Sequence, residues 1–443
     1  MIRTVSFALA ALLAVAAPAY LLTLGQPEVA AFDEGEYDIV PADATSACAG
    51  VLALPVGAGV GDGDTISSGS DDVRFSSFIS DAGSPVSIGD AMSSEAVAAT
   101  TIERVGGGDL AGLAAFSCSE PSNEQWLLGG STSLGNSSRL VLGNPTLTPT
   151  NVEITVYGPA GPIDPPINRA LAAQSSDTLL LEGIAPDLGS IAILVTADAG
   201  GVVAAIQDSR LDGFLPVGTD WVHANDGLGQ SLVVPGVGPS DPEGDNGPAV
   251  VRLFSPEGGF VSMRLLTADG EVLLAGVGGV TLEPAEVIEV DLPASEVGTL
   301  LVESTSPTLA AVRSSVGRVP DEGLEGDVAR DFAWVNAQST ESTRSVAVTT
   351  HYEVTVAAYA TADTTLRLYD WETDEVVFER ELAADTTVEA PLDVDAGTAV
   401  RVEGDVVWVL RVADDPGFVA TIEPIDPDDE ARPVVVRPGP YVP

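Results

Sequence analysis

The chain has 443 residues, of which 45% are hydrophobic, and its 66 acidic and 18 basic side chains give a net charge of −48. This apolar content excludes a chain that is disordered throughout. Because every basic side chain is arginine and acidic groups dominate, the composition also excludes a surface that binds nucleic acid or anionic lipid headgroups.

The first predicted element is an apolar segment at residues 5–24, which contains no charged side chain and follows Arg3. About 20 apolar residues span a bilayer, whereas the apolar part of a signal peptide has roughly 7–15. Residues 29–31 offer a small-residue cleavage site. Residues 1–35 are therefore either a cleaved signal peptide or an uncleaved anchor, and in both cases Arg3 keeps the N-terminus inside. We expect an extracytoplasmic protein, secreted or anchored in the cell membrane, that contacts the membrane through this helix only.

The two cysteines, Cys48 and Cys118, both follow the apolar segment. In an oxidising compartment such a pair predicts one disulfide. Two buried free thiols and a pair of metal ligands are the alternatives. Two cysteines and two distant histidines do not make a zinc site, which needs about four ligands with close pairs. We therefore expect no bound metal here.

After residue 35 the sequence predicts short β-strands separated by Gly, Pro, Asp and Ser. In residues 151–157, for example, Val152, Ile154 and Val156 alternate with polar side chains. Such alternation is typical of a half-buried antiparallel strand, and closely spaced strands with turn signals indicate a sandwich or a barrel.

The chain also repeats. Residues 178–226 and 286–338 share the same order of strands and turns, and each block ends in an aromatic strand, with Trp221 or Trp334. A shorter copy spans residues 386–414.

Residues 111–130 resemble the tail of a further copy, with Trp126 in the position of Trp221. The tryptophans lie about a hundred residues apart, which is the size of an immunoglobulin-like sandwich. We therefore predict an all-β fold of tandem immunoglobulin-like or β-sandwich modules after one N-terminal hydrophobic helix. The predicted domains are 1–35 (signal peptide or anchor), 36–125 (β module closed by the disulfide), 126–226, 227–338 and 339–423 (β-sandwich modules) and 424–443 (Pro/Asp-rich tail).

Motifs for catalysis or cofactor binding do not stand out. The sequence contains no G-x-S-x-G nucleophile elbow and no phosphate-binding glycine loop. A Ser–His–Asp triad would require His223 or His351 as its base. His223 corresponds to Asn336 in the repeat, which favours a polar strand position, and His351 opens a predicted strand. We assign no catalytic, cofactor-binding or metal-binding residue and predict that the protein is not an enzyme.

Two acidic loops and three tryptophans have alternative interpretations. Calcium takes several oxygen ligands from flexible loops, but the full calcium-loop pattern is missing, so solvated turns are favoured for the acidic loops. The tryptophans could stack on sugars, but their repetition favours core packing. Residues 136–138 match a short glycosylation sequon. The residues concerned are Asp62, Asp64, Asp241 and Asp245 for calcium, and Trp126, Trp221 and Trp334 for sugars.

Residues 118–161 carry a distinctive pattern: a Cys-x-x-Pro, then Trp126 with a Gly pair, a small-residue run, Asn144-Pro145, and a strand that ends at Gly158. This pattern resembles a family of exported actinobacterial proteins, domain of unknown function family 5719. The resemblance implies a secreted or membrane-attached envelope protein, often encoded beside a large membrane glycosyltransferase. It supplies no catalytic residues.

These observations predict a cell-envelope protein with a structural or interaction role and without catalysis. Its expected partner is an envelope protein or polysaccharide, with a membrane glycosyltransferase as one candidate. The alternatives are an accessory subunit of a membrane glycosyltransferase in envelope polysaccharide assembly, and a carboxylate-based glycan hydrolase.

Overall fold

The computed structural model divides the chain into two compact units, one of Met1–Ala42 with Asp429–Pro443 and one of Asp43–Asp428. Within the first unit, strand β1 (Gly35–Ile39) pairs antiparallel with the last strand, β37 (Arg432–Val436). The apolar segment 5–24 lies outside the described residues. The structure describes the backbone of residues 35–39, 46–55, 65–67, 72–78, 86–88, 91–94, 98–213, 215–320, 328–341, 344–415, 417–426 and 432–436, and the side chains of 46–54, 98–213, 215–320, 328–341, 344–415 and 417–426.

The described secondary structure is β throughout, with a single 3-10 turn at Leu181–Gly183. The predicted all-β, sandwich-based fold is therefore confirmed. The alternation in residues 151–157 lies in a strand, Thr150–Gly158, in which Val152 and Ile154 are fully buried. Within the described ranges, no helical segment has the length and apolarity that crossing a bilayer requires.

The strands of the second unit fall into four consecutive groups, here called modules 1 to 4. Module 1 contains sheets ordered β2-β7-β6, β3-β4 and β5-β8-β9. Its strands are β2 (Ser46–Cys48), β3 (Ala53–Pro55), β4 (Thr65–Ser67), β5 (Asp72–Phe78), β6 (Val86–Ile88), β7 (Ala91–Ser94), β8 (Ala98–Val105) and β9 (Gly112–Ser117).

Module 2 contains two sheets, and one of them has the order β15-β11-β17-β18. Its strands are β10 (Glu124–Leu128), β11 (Asn136–Asn144), β12 (Thr150–Gly158), β13 (Gly161–Pro162), β14 (Ile167–Leu171), β15 (Ser175–Leu180), β16 (Ala192–Ala197), β17 (Val203–Asp212), β18 (Leu215–Val222) and β19 (Ala224–Asn225).

Module 3 has a long strand, β26, that takes part in both of its layers and pairs with β27 at one edge. Its strands are β20 (Gly229–Val237), β21 (Val250–Phe254), β22 (Gly259–Thr267), β23 (Gly270–Val272), β24 (Gly279–Leu282), β25 (Val287–Asp291), β26 (Gly298–Arg318), β27 (Ala329–Asn336) and β28 (Gln338–Ser339).

Module 4 contains sheets ordered β29-β34-β31-β32 and β33-β30-β35-β36. Its strands are β29 (Val346–Val348), β30 (Glu353–Ala360), β31 (Thr364–Asp370), β32 (Val376–Leu382), β33 (Thr386–Pro391), β34 (Ala399–Glu403), β35 (Val406–Asp414) and β36 (Phe418–Ile422). The domain boundaries proposed from the repeats stay predictions, because contacts group all four modules in one unit.

The hydrophobic clusters show how consecutive modules join. The cluster of module 2 also contains Phe332 and Trp334 of module 3, and the cluster of module 3 contains Val409 of module 4. The cluster of module 4 contains Leu113 of module 1, and that of module 1 contains Trp221 of module 2. Each apolar core therefore spans two modules, and the four modules close into a ring.

One edge strand from each module lies at the centre of this ring. These axial strands are β9, β18, β27 and β36. Ala115 and Ser117 of β9 contact Asp220 and His223 at β18 in the same chain order, so these strands run in the same direction. This arrangement resembles a propeller of four blades. Closure into a ring was not part of the sequence prediction of tandem modules.

A disulfide joins Cys48 to Cys118, directly after the axial strand β9. No other cysteine is present in the chain, so neither free thiols nor a metal pair remain as interpretations. The bond fixes β2 beside the axis, where backbone hydrogen bonds also link Ala47 and Ser119 in both directions.

Candidate functional site: the polar axis

The axial strands end in four polar residues that form a closed cycle, here called the axial ring: Ser117, His223, Asn336 and Glu423. The Ser117 N–H donates to His223 Nε2 at 3.0 Å, and Asn336 Nδ2 donates to the His223 carbonyl at 3.0 Å. The Asn336 N–H donates to Glu423 Oε1 at 2.8 Å, and Ser117 Oγ donates to the Glu423 carbonyl at 2.6 Å. Each side chain thus bonds the backbone of the preceding module.

His223 is held as a neutral ring. Its Nε2 accepts the Ser117 N–H, so this nitrogen carries no proton. Burial lowers the pKa of His223 below the ordinary 6.5, an effect that Glu423 opposes and Arg344 reinforces. The imidazole also stacks on Phe116, with ring centroids 4.4 Å apart. A histidine whose basic lone pair is used in this way is not available as a general base.

Arg344 covers one end of the axial ring. Its Nη1 donates to Glu423 Oε2 at 3.0 Å, and its Nε donates to Asp226 Oδ1 at 2.6 Å. Burial opposes the charged form of Arg344, but the carboxylates of Asp226 and Glu423 raise its pKa. Burial in turn raises the pKa of Asp226, which Arg344 partly offsets. A single guanidinium therefore bridges two carboxyl groups at this end of the axis.

A second pair of acids lies along the axis. Asp220 accepts the Trp334 N–H at 2.8 Å and the Ala115 N–H at 3.4 Å, and so links modules 1, 2 and 3. Asp331 lies one axial strand further on, in module 3. Burial raises the pKa of Asp220 well above its ordinary value and that of Asp331 to about 7.

The interface between modules 2 and 3 buries charged pairs beside aromatic rings. Trp334 lies between two guanidinium groups, 5.9 Å from Arg210 and 5.0 Å from Arg252. Its Nε1 donates to Asp208 Oδ2 at 3.0 Å, which also accepts from Arg210. Arg252 is fully buried, is paired with Glu289, and donates to the Gly130 carbonyl at 2.6 Å.

The contact between modules 4 and 1 repeats this theme. Phe418 lies between Arg104, at 4.5 Å, and Arg318, at 5.2 Å, and Arg104 is paired with Asp414 at 2.7 Å. Because these arginines are used between modules, acidic groups are left to dominate the exterior. The arginines at the interfaces and the axis are Arg104, Arg139, Arg210, Arg252, Arg313, Arg318 and Arg344.

This architecture can be compared with known proteins. A family model described as a family of unknown function, DUF5719, matches residues 77–405. The chain belongs to this family. No curated protein matches the sequence. A solved structure, "Biofilm associated protein - BSP domain", is similar at 9% identity and a TM-score of 0.14 over 74% of this chain and 63% of that one. Such a score carries no structural argument.

The DUF5719 match confirms the resemblance read from residues 118–161. The matched range includes three members of the axial ring and ends before the fourth, Glu423. The family description assigns no activity, so the chemistry of this site must be argued from its geometry.

The tryptophans considered for sugar stacking are core residues: Trp126, Trp221 and Trp334 are 6%, 2% and 2% exposed. His223 occupies the polar strand position that its repeat partner Asn336 predicted. His351 is exposed and packs on Tyr352, with ring centroids 3.9 Å apart.

The acidic loop with Asp241 and Asp245 is built as a turn. The Asp241 carboxylate packs against Gly244, and the Asp245 carbonyl accepts a hydrogen bond from Arg330 at 2.7 Å. In the described part of the chain, no three His, Cys, Asp or Glu side chains come together to hold a metal ion. Asp62 and Asp64 lie outside the described residues. The Asn136 amide of the sequon donates to Ser131 Oγ at 2.8 Å.

Sequence reasoning missed Ser117 and Glu423 of the axial ring and the acids Asp220 and Asp331. The signal available was the equivalence of His223 and Asn336, which marks one polar position per repeat. Extending that alignment to the ends of the first and last modules would have reached Ser117 and Glu423.

Between modules 3 and 4 lies a small cleft of about 10 Å³ whose lining includes Gly236, Ser314, Val335 and Thr421. Ser314 Oγ accepts the Gly238 N–H at 2.9 Å. The cleft contains no carboxyl group and no histidine. Its lining therefore holds no pair of side chains suited to acid–base catalysis.

Proposed function

We propose that this DUF5719 protein is an exported component of the cell envelope that acts as a structural or interaction body, without catalysis. One observation carries the proposal. The groups that could perform acid–base chemistry on the axis accept hydrogen bonds from the backbone of neighbouring modules, in a closed cycle. They are buried and engaged, so their contribution is to hold four modules together.

Export is supported by two features of the chain. A structural disulfide such as Cys48–Cys118 persists in oxidising compartments outside the cytoplasm. The apolar residues 5–24 have the composition of an export signal or an anchor. The partner that we propose is another envelope protein or an envelope polysaccharide, and a membrane glycosyltransferase is one such protein.

In-cell crosslinking of the tagged full chain, followed by pull-down, mass spectrometry and sugar analysis, tests this function. Recovery of one envelope protein or one polysaccharide supports the proposal, and recovery of a membrane glycosyltransferase would make the protein its accessory subunit. The purified chain is also incubated with envelope glycans. Turnover that persists through repurification and disappears in Glu423→Gln would overturn the non-catalytic assignment.

A further inference from the structure

Asp331 is placed where three modules meet. It lies on β27 of module 3 and is fully buried. Its Oδ2 accepts the Leu113 N–H of module 1 at 3.0 Å and the Val419 N–H of module 4 at 2.9 Å. Both donors reach the same oxygen, so a single carboxyl group holds the seam between modules 1 and 4.

The other oxygen, Asp331 Oδ1, has no hydrogen-bond partner among the described residues. It faces two glycines of neighbouring axial strands. A methyl group added to Gly112 would stand 3.0 Å from Oδ1, and one added to Gly218 would stand 2.7 Å from it. This packing leaves little space around Oδ1 in the closed ring.

The charge state of Asp331 follows from these contacts. An ionised carboxylate with one bare oxygen in an apolar interior is disfavoured, whereas a protonated carboxyl group is neutral. Of the elements packed against it, β18 contributes the carboxyl of Asp220, whose own pKa Asp331 raises, and β26 contributes Arg318, which favours ionisation of Asp331. The backbone N–H groups of Val419, Leu113 and Phe332 also favour ionisation, but burial outweighs them and raises the pKa of Asp331. The nearby Arg104 and Asp414 pair with each other.

We propose that Asp331 is a protonation switch for the ring: the neutral acid keeps the seam between modules 1 and 4 closed, and loss of its proton loosens that seam. Hydration of the ionised carboxylate requires β9 or β18 to move, because Gly112 of β9 and Gly218 of β18 pack against its free oxygen. The switch goes beyond the structural role proposed above. It makes the envelope protein responsive to the pH of its surroundings.

The direction of the effect follows from proton linkage. The unfolded chain releases the Asp331 proton near the ordinary pKa of 3.8, and the folded chain releases it near about 7. Between these values the folded state holds one more proton, so its stability falls as pH rises. The seam is therefore tightest below about pH 4 with respect to this group, and its stabilisation is lost as pH rises through about 7.

Hydrogen exchange on the full chain between about pH 5 and pH 8 tests the switch, after correction for the intrinsic pH dependence of exchange. We expect opening at β9 and β36 to increase by up to roughly tenfold per pH unit until it levels off near pH 7. Peptides from β12 and β16, on the outer sheet of module 2, serve as the internal control and stay unchanged. In Asp331→Asn, which keeps an acceptor but cannot ionise, the pH dependence disappears at β36, which bonds Asp331, and it is reduced at β9, which also bonds Asp220.

Infrared spectroscopy of the wild-type chain provides a second readout that does not depend on a variant that folds. Asp220 also contributes a buried protonated carboxyl band, so the signal that reports Asp331 is a loss of band intensity with a midpoint near pH 7, together with the exchange transition. Corrected exchange at β9 and β36 that is independent of pH, or equally dependent in Asp331→Asn, would overturn the switch. Absence of any loss of carboxyl intensity near pH 7 would do the same. Neither outcome bears on export or on the partner, so the proposed function is tested separately.

Discussion

At the axis, Asp220 and Asp331 accept hydrogen bonds from backbone N–H groups, whereas between modules 2 and 3 Asp208 and Glu289 face arginines. Asp220, Asp331 and Asp208 are fully buried, whereas the Glu289 side chain is 35% exposed. Without a paired cation, burial raises the pKa of Asp331. Burial also opposes ionisation of Glu289, but Arg252, with smaller contributions from Arg210 and Arg313, lowers its pKa. The first region is sensitive to pH, and the second holds its acids in ion pairs.

The difference shows how an acidic chain without lysine closes a ring of four modules. Most of the buried arginines lie where two modules meet, and along the axis, where four strands converge, the polar groups bond mainly to backbone, with Arg344 at one end as the exception. Guanidinium groups of the arginines lie over aromatic rings. These contacts bury apolar area and also stabilise the positive charge through cation–π interactions.

Trp334→Ala is expected to have the largest effect, because Trp334 contributes to both regions. Its side chain is 2% exposed and lies in the core shared by modules 2 and 3, and its Nε1–H donates to Asp208, a hydrogen bond that alanine cannot make. We expect a loss of about 3–5 kcal/mol in the free energy of unfolding, measured by chemical denaturation. Leu134→Ala, at a fully exposed position, is the matched control and should change little. Equal losses in the two variants would rule out the shared core.

Loss of the disulfide is expected to come next. Cys48 and Cys118 are 70 residues apart, and opening such a loop costs about 4 kcal/mol or less in the chain-entropy model. Cys48→Ser combined with Cys118→Ser should lower the denaturation midpoint by the same amount as a reducing agent lowers that of the wild type. A reducing agent should then have no further effect on the double variant. A wild-type midpoint that ignores the reducing agent would contradict this pairing.

Arg252→Met tests the charged interface directly. Removal of the guanidinium leaves Glu289 without its partner and the Gly130 carbonyl without its donor, and we expect a loss of about 3 kcal/mol. Arg252→Met combined with Glu289→Gln should recover much of that loss, because the pair is then removed together. Urea denaturation of the single and double variants completes a double-mutant cycle. Strict additivity would mean that the two side chains do not interact.

The elements of the fold could be predicted where a single strand carries its own signal. Val152 and Ile154 alternate with polar residues, and the strand is half-buried as expected. Trp221 and Trp334 recur in equivalent strands and are buried, and the two cysteines of the chain form the disulfide. These features depend on local periodicity, on a repeated motif, or on the number of cysteines in the chain.

The ring and its axis could not be predicted, because they depend on which sheet faces meet. Gly112 and Gly218 look like ordinary turn glycines in the sequence, yet they allow axial strands to approach Asp331. Glu423 precedes a Pro/Asp-rich stretch and has the appearance of a linker residue. Only the contact of four modules gives these residues their role.

His223 provides a pH dependence of opposite sign to that of Asp331. Its folded-state pKa is lowered below 6.5, so the unfolded chain binds a proton that the folded chain does not, and stability falls as pH drops below 6.5. For one proton the slope is at most about 1.4 kcal/mol per pH unit. His223→Gln keeps an acceptor for the Ser117 N–H and should remove this slope. Thermal unfolding of both chains across acidic pH measures it, and parallel curves would exclude the assignment.

The smallest effect is expected for an ion pair outside both regions. Arg264 and Glu271 are paired at 2.9 Å, but their side chains are 51% and 52% exposed, so water competes for both charges. Arg264→Gln should change the free energy of unfolding by less than about 1 kcal/mol, and the change should shrink further at high salt. Arg252 is fully buried and Glu289 is 35% exposed, so their ion pair is screened less, and more of the effect of Arg252→Met should persist in the same salt series. An equal response of both variants to salt would mean that the interface between modules 2 and 3 does not protect the Arg252–Glu289 pair from screening. The proposed difference between this interface and the axis would then be wrong.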